Sequence, residues 1–285
     1  MKRIAVVIIL LFAMSLRAEE SQIEPIEKKV EWTRHHSGIF VSKNSATMPR
    51  LQRIYVIRID LNEKGLSFFT TPRCSDRFEE GKRETLRQRT NEFLEQHKLL
   101  VAVNANFFSI PKGEAYAKPG SSDLRGVAVS DGIVVSNRDT SDYRAIFAIK
   151  KDGTPIIAAN LKSDDELHEW TTAVAGNVLI LNAGEIVRHS DKAVHPRTAV
   201  GISEDKRFVY LLVIDGRQEG YSIGATYAET AAWLRFYGAW DGLNLDGGGS
   251  TTMVLRNEQG QPYIINRPSD RRPRYNGNNL GVRTL

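Results

Sequence analysis

The sequence predicts a single domain of mixed α/β class, built on a mixed β-sheet core with flanking helices. Short apolar runs bounded by turn residues are the commonest pattern, and they are typical of strands. Two other segments have the spacing of helices. The 285 residues are 41% hydrophobic, which suits one large domain or two small ones. We expect the domain to span residues 51–285, after a polar segment at 19–50 that forms a lead-in or an edge structure.

The predicted strands follow one another closely, and turns that favour hairpins join several of them. Asp131-Gly132 and Asp152-Gly153 each separate two apolar runs, as two-residue hairpin turns do. Asn182-Ala183-Gly184 and the polar segment Ser203–Arg207 separate two further pairs. The predicted strands are Ile54–Asp60, Leu66–Thr70, Leu99–Val103, Gly126–Val129, Ile133–Val135, Ala145–Ile149, Thr154–Ala158, Val178–Leu181, Glu185–Val187, Ala199–Ile202, Phe208–Ile214 and Leu243–Leu245.

Two helices are predicted. Arg83–His97 has apolar residues at helical spacing, with Thr85 or Thr90 as possible starts. The second helix begins at a Thr-x-x-Glu capping box formed by Thr226 and Glu229, and it ends at Gly238. Glu229 therefore has two interpretations, a helix cap or a catalytic carboxylate.

The N-terminus has the pattern of a secretory signal peptide over residues 1–18. Lys2 and Arg3 precede the apolar run Ile4–Met14, and a cleavage site after Ala18 fits the pattern. The run is too short to span a membrane, although retention as an anchor is an alternative. Cys74 is the only cysteine, so no disulfide can form within the chain. We expect an exported protein, periplasmic or extracellular, with no stable membrane insertion after cleavage.

The charge of the chain argues against nucleic acid as a partner. The formal net charge of +5 falls to about +2 once Lys2, Arg3 and Arg17 leave with the signal peptide, and the other charges are interspersed. The basic segment Arg267–Arg274 is either a solvated face or a contact for an anionic substrate.

Residues 243–254 carry the most informative pattern of the chain. On the predicted strand, Asn244 and Asp246 face opposite to the apolar residues, and Gly247, Gly248 and Gly249 follow at once. Three consecutive residues without Cβ indicate a tight loop or a close approach of the backbone to a ligand. The polar residues on both sides favour a site over a plain loop.

Other predicted strands also end or begin at polar residues. Asn104 and Asn106 follow one strand, Asp215 follows another, and His195 and Arg197 precede a third. A rigid sheet presents side chains to a cleft in this way. These groups supply the acids, amides and cations that a polar ligand needs.

Five segments at 103–108, 195–201, 212–217, 224–229 and 244–253 resemble, in this order, motifs of the phosphodiester glycosidase family. The resemblance covers roughly residues 95–285. It implies a mixed α/β domain that hydrolyses a sugar-1-phosphodiester and leaves a phosphomonoester. It points, residue by residue, to Asn104, Asn106, Arg197, Asp215, Glu229, Asn244, Asp246, Gly247, Gly248, Gly249, Ser250 and Thr251.

The chemistry of these residues agrees with that reaction. Glycoside hydrolysis commonly uses two carboxyl groups, and we expect Asp215 and Asp246 to be that pair, with Glu229 as a third candidate. We expect Arg197 to hold the phosphate through a bidentate contact. His195 is a rim residue or a general base. The remaining groups are expected to bind substrate, the amides of Gly247, Gly248 and Gly249 as an anion nest beside Ser250 and Thr251, and Asn104, Asn106 and Asn244 through sugar hydroxyls.

Two alternatives remain open at this point. Oxygen atoms of Asp246, Asn244 and Asn104 could hold a hard cation such as Ca²⁺ in a metal-assisted phosphodiesterase, although no His-rich ligand spacing is present. The same polar cleft could serve a polysaccharide-binding module without catalysis. We expect no cofactor, a phosphate-linked sugar or polysaccharide as the partner, and a role in envelope or exopolysaccharide metabolism.

Overall fold

The computed structural model describes residues 30–74, 84–137, 142–161 and 163–285. These residues form twenty-one strands and two α-helices, and every strand pair among them is antiparallel. The prediction of a mixed α/β fold with flanking helices is therefore wrong: the described part of the chain is mainly antiparallel β-structure. The predicted signal peptide lies outside the described residues. No helix in the described ranges is both long enough and apolar enough to span a membrane.

An eight-stranded sheet is the largest element. Its edge includes residues from the predicted lead-in segment, which form two strands: the second pairs with the first strand of the predicted domain, and the first pairs with the second. In spatial order, its strands are β1 (Thr33–His36), β2 (Ile39–Ala46), β3 (Gln52–Asp60), β17 (Phe208–Ile214), β16 (Arg197–Ile202), β18 (Asp241–Asn244), β14 (Val178–Asn182) and β15 (Glu185–Ile186).

Three smaller sheets complete the structure. The first has the order β20 (Pro262–Ile264), β19 (Met253–Arg256), β6 (Val101–Asn104), β21 (Asn279–Thr284) and β4 (Leu66–Thr70). The second has the order β10 (Ile133–Ser136), β9 (Ala128–Ser130), β13 (Trp170–Gly176), β11 (Ala145–Lys150) and β12 (Pro155–Ala158). The third contains β5 (Thr85–Leu86), β8 (Ser121–Leu124) and β7 (Phe108–Ser109).

The main core lies between the eight-stranded sheet and the two five-stranded sheets. Leu211 of β17, Val103 of β6 and Phe147 of β11 are fully buried in one apolar cluster, so all three sheets contribute to it. Alternate residues of the eight-stranded sheet face the other way. There they pack against helix α2 (Tyr227–Phe236), where Ala199 and Leu234 belong to a second buried cluster.

Most predicted strands and all four predicted hairpin turns are confirmed within a residue or two. The first helix is shorter than predicted. Helix α1 (Thr90–Gln96) begins at the second of the two possible starts, and Thr85–Leu86 is a strand instead. Arg83, the predicted first residue, lies outside the described residues. The predicted helix was too long because its apolar spacing included Leu86. Of the three apolar residues, Phe93 and Leu94 pack on the neighbouring sheet, whereas Leu86 is exposed.

Candidate active site

Asp246 lies just beyond β18, in the turn between the eight-stranded sheet and a five-stranded sheet. Its backbone N–H donates to the carbonyl of Ala105 at 2.9 Å, and its own carbonyl accepts from Asn104 Nδ2 at 2.6 Å. The side chain is partly buried. Desolvation raises the pKa of Asp246 to about 6, and the nearby Ser250 hydroxyl and Arg274 cation offset only part of that effect. The carboxyl group therefore titrates close to neutral pH.

Each of the three glycines after Asp246 is required for a different reason. A Cβ on Gly247 would lie 2.5 Å from the Pro196 carbonyl oxygen, which receives the N–H of Gly248 at 2.9 Å. Gly248 has φ +61°, a conformation that L side chains rarely adopt. A Cβ on Gly249 would overlap the guanidinium of Arg274. The three glycines thus form a tight turn that other protein groups approach closely, and a tight turn is one of the two interpretations that the sequence gives.

Four buried polar atoms next to this turn lack a hydrogen-bond partner among the described residues. They are the Oδ1 of Asn244 and the hydroxyls of Ser250, Thr251 and Thr252. The Ser250 hydroxyl lies close enough to the Asp246 carboxyl to lower its pKa. A buried polar group without a partner costs free energy, and native structures contain few of them. Their concentration around one turn suits a polar ligand.

Arg217 reaches the same turn from the end of β17. It is exposed and has φ +58°. A Cβ on Gly248 would lie 3.1 Å from its Nη1, and no carboxylate of the described residues forms an ion pair with it. Its Nη2 is 3.3 Å from His195 Nδ1. Because a guanidinium only donates, Nδ1 accepts, and the proton of a neutral His195 lies on Nε2.

Electrostatics keep His195 neutral at neutral pH. Burial lowers the pKa of His195, and the cations of Arg197 and Arg217 lower it further. The role predicted for His195, rim residue or general base, remains a prediction. Its position beside Arg217 places it at the edge of the turn.

Arg274 lies against the next glycine of the turn, Gly249. Its Nε and Nη2 donate to the same oxygen of Asp270 at 3.1 and 2.7 Å. Its guanidinium stacks 5.0 Å from the ring centre of Tyr116, an exposed tyrosine. Two arginines therefore flank the turn that carries Asp246.

Asp215, the predicted partner of Asp246, is buried in a separate network. Its carboxylate accepts from Asn266 Nδ2 at 2.8 Å, from the backbone N–H of Arg267 at 2.9 Å and from the Tyr221 hydroxyl at 3.2 Å. Asn266 also donates to the Thr251 carbonyl at 3.2 Å. Burial raises the pKa of Asp215, and these hydrogen bonds oppose the shift. Asp215 thus holds the segment that carries Arg267 against the turn.

Glu229 forms the capping box that the sequence predicts. Its Oε2 accepts from the Thr226 N–H at 2.9 Å, while its N–H donates to the Thr226 hydroxyl at 3.2 Å. Gln52 donates to the same carboxylate oxygen at 3.2 Å, and Arg50 forms an ion pair with the other. Both oxygens therefore have partners within the protein.

Asn104 and Asn106 also direct their side chains into the fold. The Oδ1 of Asn104 accepts from the Thr198 hydroxyl at 2.7 Å and from the Thr252 N–H at 3.1 Å. Asn106 makes four hydrogen bonds, to the carbonyls of Arg125 and Val127 and from Ala175 N and Asn278 Nδ2. Because an amide offers two donors and one oxygen, this geometry gives Asn106 a role in the fold rather than at a ligand.

Arg197 is buried and committed to backbone carbonyls. Its Nε donates to the Ala225 carbonyl at 2.9 Å and its Nη2 to the Ala193 carbonyl at 2.7 Å. The ring of Tyr227 covers the guanidinium, with 4.1 Å between the Cζ atom and the ring centre. Burial also lowers the pKa of Arg197. Two of its nitrogens thus donate to carbonyls and one face of its guanidinium is covered by a tyrosine ring, whereas Arg217 is exposed.

Asn244 lies on the α2 side of the eight-stranded sheet. Its Nδ2 donates to Asn177 Oδ1 and to the Leu245 carbonyl, both at 2.8 Å. Asn177 in turn donates to the Tyr227 hydroxyl at 2.8 Å. A cleft of about 700 Å³ opens beside this cluster, lined by Asp142, Arg144, Ala145, Ala159, Asn160, Asn177, Val178, Leu179, Asn182, Val187 and His189.

The cation alternative depends on oxygen donors near Asp246. The Oδ1 of Asn104 already accepts two hydrogen bonds, whereas that of Asn244 accepts none in the described structure. Within the described ranges, no three His, Cys, Asp or Glu side chains cluster as ligands of a metal ion. Of the two amide oxygens named from the sequence, only that of Asn244 is without a hydrogen-bond donor in the described structure, and the cation alternative remains a prediction.

Sequence reasoning did not identify Arg217 or Tyr116 as site residues. Arg217 directly follows the strand-end pair Asp215-Gly216, but its positive φ has no signal in the sequence. Tyr116 lies in a loop without a recognisable pattern. Arg274 belongs to the basic segment already interpreted as a possible anion contact, and its place at Gly249 supports that interpretation.

Comparisons with known proteins were consistent with one another. The family model described as phosphodiester glycosidase matches residues 97–283. The N-acetylglucosamine-1-phosphodiester alpha-N-acetylglucosaminidases of Mus musculus and Bos taurus are each 29% identical to the chain over 176 residues. Each alignment covers 54% of this chain and 31% of the relative, so the chain spans about a third of the length of these relatives.

Solved structures show the same fold. The catalytic domain of the zebrafish N-acetylglucosamine-1-phosphodiester alpha-N-acetylglucosaminidase, auto-inhibited by its pro-peptide, aligns with a TM-score of 0.65 at 21% identity, covering 90% of this chain and 88% of that one. A hypothetical protein from Synechocystis aligns with a TM-score of 0.61 at 14% identity, covering 91% and 64%. A putative exported protein from Burkholderia pseudomallei aligns with a TM-score of 0.59 at 16% identity, covering 81% and 74%.

Proposed function

The chain belongs to the phosphodiester glycosidase family, and from this premise we propose that it hydrolyses the glycosidic bond of a sugar-1-phosphodiester. Water supplies the hydroxyl of the released sugar. The bond between the anomeric carbon and the phosphate oxygen breaks, its electron pair stays on that oxygen, and a phosphomonoester leaves.

The observation that carries this proposal is the setting of Asp246. It is a partly buried carboxyl with a pKa near 6, in a turn with three glycines and between two arginines. We assign to its ionised form the attack on the anomeric carbon or the activation of water. Asp215 and Glu229 each hold protein donors on both oxygens, so they suit positioning better than reaction.

A phosphate leaving group reduces the need for a second carboxyl group. In ordinary glycosides, a carboxylic acid must protonate the leaving oxygen. A phosphate oxygen is a much better leaving group, and cations can stabilise the charge that it gains. A site with one reacting carboxylate and two nearby guanidinium groups is therefore sufficient for this reaction.

The names of the curated relatives suggest an N-acetylglucosamine-1-phosphodiester as the first substrate to test. We further propose that the chain is exported and acts on phosphate-linked sugars of the envelope or of an exopolysaccharide. The signal-like segment at residues 1–18 and the likeness to a putative exported protein support export.

The test is product analysis with the methyl phosphodiester of N-acetylglucosamine. We expect free N-acetylglucosamine and methyl phosphate. N-acetylglucosamine 1-phosphate with methanol would instead identify a phosphodiesterase, and an unchanged substrate that still binds would identify a binding module.

Asp246→Asn tests the assignment of the carboxylate in the same assay. We expect kcat to fall by a factor on the order of 10²–10⁴, because the amide keeps the shape but cannot attack or accept a proton. Glu258→Gln is the matched control, since Glu258 is exposed in the loop between β19 and β20. Normal turnover by a folded Asp246→Asn protein would overturn the assignment.

A further inference from the structure

We propose that Arg217 and Arg274, which lie next to Gly248 and Gly249 and near Asp246, form the phosphate subsite of this enzyme. The proposal rests on the proposed function, and it replaces Arg197, the arginine that the sequence suggests for this task. It also names the ligand, a singly charged phosphodiester.

The conformation of Arg217 supports a function beyond the fold. A non-glycine residue at φ +58° persists only where the surroundings impose it. Here they do, because the Arg217 N–H donates to the Ile223 carbonyl at 3.0 Å and Gln218 pairs with Ser222 just beyond. The loop directs the guanidinium toward Gly248, where it hydrogen-bonds to the imidazole of His195 and lies close enough to Asp246 to lower the pKa of that carboxyl.

Arg274 is also held in place by protein groups. One oxygen of Asp270 accepts two of its N–H groups, and Tyr116 supports its flat face. The missing Cβ of Gly249 allows the guanidinium to approach the turn. The remaining N–H groups are available to an anion, and both Arg274 and the Ser250 hydroxyl lie near Asp246.

The two guanidinium groups suit an anion through their directed N–H groups. Asp270 and ionised Asp246 together balance the two positive charges of Arg217 and Arg274, so recognition depends on hydrogen-bond geometry more than on net charge. A phosphodiester carries one negative charge and can bridge two guanidinium groups through charge-assisted hydrogen bonds. When the glycosidic bond breaks, the departing oxygen gains a further charge, and preorganised donors stabilise it. The subsite therefore favours the transition state over the bound substrate.

Arg197 does not compete for this role. Its N–H groups already donate to two carbonyls, and its face is covered by Tyr227. The residue is also buried, with only 5% of its surface exposed, so a phosphate would have to enter the fold to reach its remaining N–H groups. Arg217, by contrast, is exposed and needs no rearrangement.

The test compares two substrates in Arg217→Gln and Arg274→Gln proteins. One is the methyl phosphodiester of N-acetylglucosamine, and the other is its 4-nitrophenyl glycoside, which has no phosphate. We expect kcat/KM for the phosphodiester to fall at least about tenfold in each variant, the loss of one charge-assisted hydrogen bond. The kcat/KM for the nitrophenyl glycoside should change less than threefold. Arg272→Gln is the matched control, because Arg272 is exposed in the same basic segment.

Equal losses on both substrates, or the same loss in Arg272→Gln, would overturn the subsite. Binding of inorganic phosphate to the full chain, followed by NMR titration, gives a second readout that does not depend on turnover. If the wild-type chain hydrolyses neither substrate, the proposed function fails, and weaker phosphate binding in Arg217→Gln still supports the subsite. Because Arg217 is exposed, that variant should fold normally, which a thermal melt can verify.

Discussion

Replacing Asp246 with Asn should stabilise the protein at neutral pH while it removes activity. The folded protein holds this carboxyl at a pKa of about 6, whereas its ordinary value is 3.8. A pKa that is raised by folding means that ionisation costs stability. The cost is absent below about pH 3.8, grows as the pH rises to about 6, and is constant above it. Two pKa units at about 1.4 kcal/mol each give up to about 3 kcal/mol at pH 7.

The assay is urea denaturation of the wild-type, Asp246→Asn and Glu258→Gln proteins at pH 7 and at pH 3.5. Asparagine resembles the protonated acid. The free energy of unfolding of Asp246→Asn should therefore exceed that of the wild type by up to about 3 kcal/mol at pH 7 and by little at pH 3.5. Glu258→Gln should match the wild type at both. Equal stability of wild type and Asp246→Asn at pH 7 would refute the reasoning, since the carboxylate would then be well solvated or well paired.

Three further predictions follow from the site. The value of kcat/KM should rise about tenfold per pH unit up to about pH 6 and then level off, because the ionised Asp246 reacts; a decline above pH 6 would make it an acid instead. Asn106→Ala should lower the free energy of unfolding by several kcal/mol, roughly 1–3 for each buried partner left unpaired, with kcat unchanged in the folded protein; an unchanged melting temperature with a raised KM would return Asn106 to sugar binding. Glu229→Gln should cost about 1–2 kcal/mol by losing the ion pair with Arg50, and kcat should stay within threefold, whereas a fall of 10²-fold or more would make Glu229 catalytic.

Local structure could be predicted from the sequence where the signal is itself local. The hairpin turns at Asp131-Gly132 and Asp152-Gly153 and the cap at Thr226 depend on neighbouring residues, and all are present. The predicted fold class was wrong, because the fold class depends on which strands pair and in which direction. Strand β18 joins β14 and β16, from separate parts of the chain, and every such pair is antiparallel. No spacing in the sequence encodes that choice.

In the candidate site, the glycine turn could be predicted from the sequence, but the contacts of the surrounding residues could not. The glycine turn after Asp246 needs a positive φ and close neighbours, and the sequence shows both requirements through its glycines. The partners of Asn104 are distant along the chain, 94 residues away at Thr198 and 148 at Thr252. An asparagine at a strand end looks the same in sequence whether it faces a ligand or ties two sheets together.

The hydrogen bonds of Asn104 explain why such a residue can belong to a site motif without touching a ligand. Its side chain joins the Asp246 carbonyl on one side to Thr198 and Thr252 on the other. It therefore sets where Asp246, the carboxyl that we propose reacts, lies relative to the two sheets. A small displacement of a reacting group lowers the reaction rate strongly, because correct orientation contributes much of the lowering of a reaction barrier. Positioning residues and reacting residues thus share the motif, and only the count of satisfied hydrogen bonds separates them.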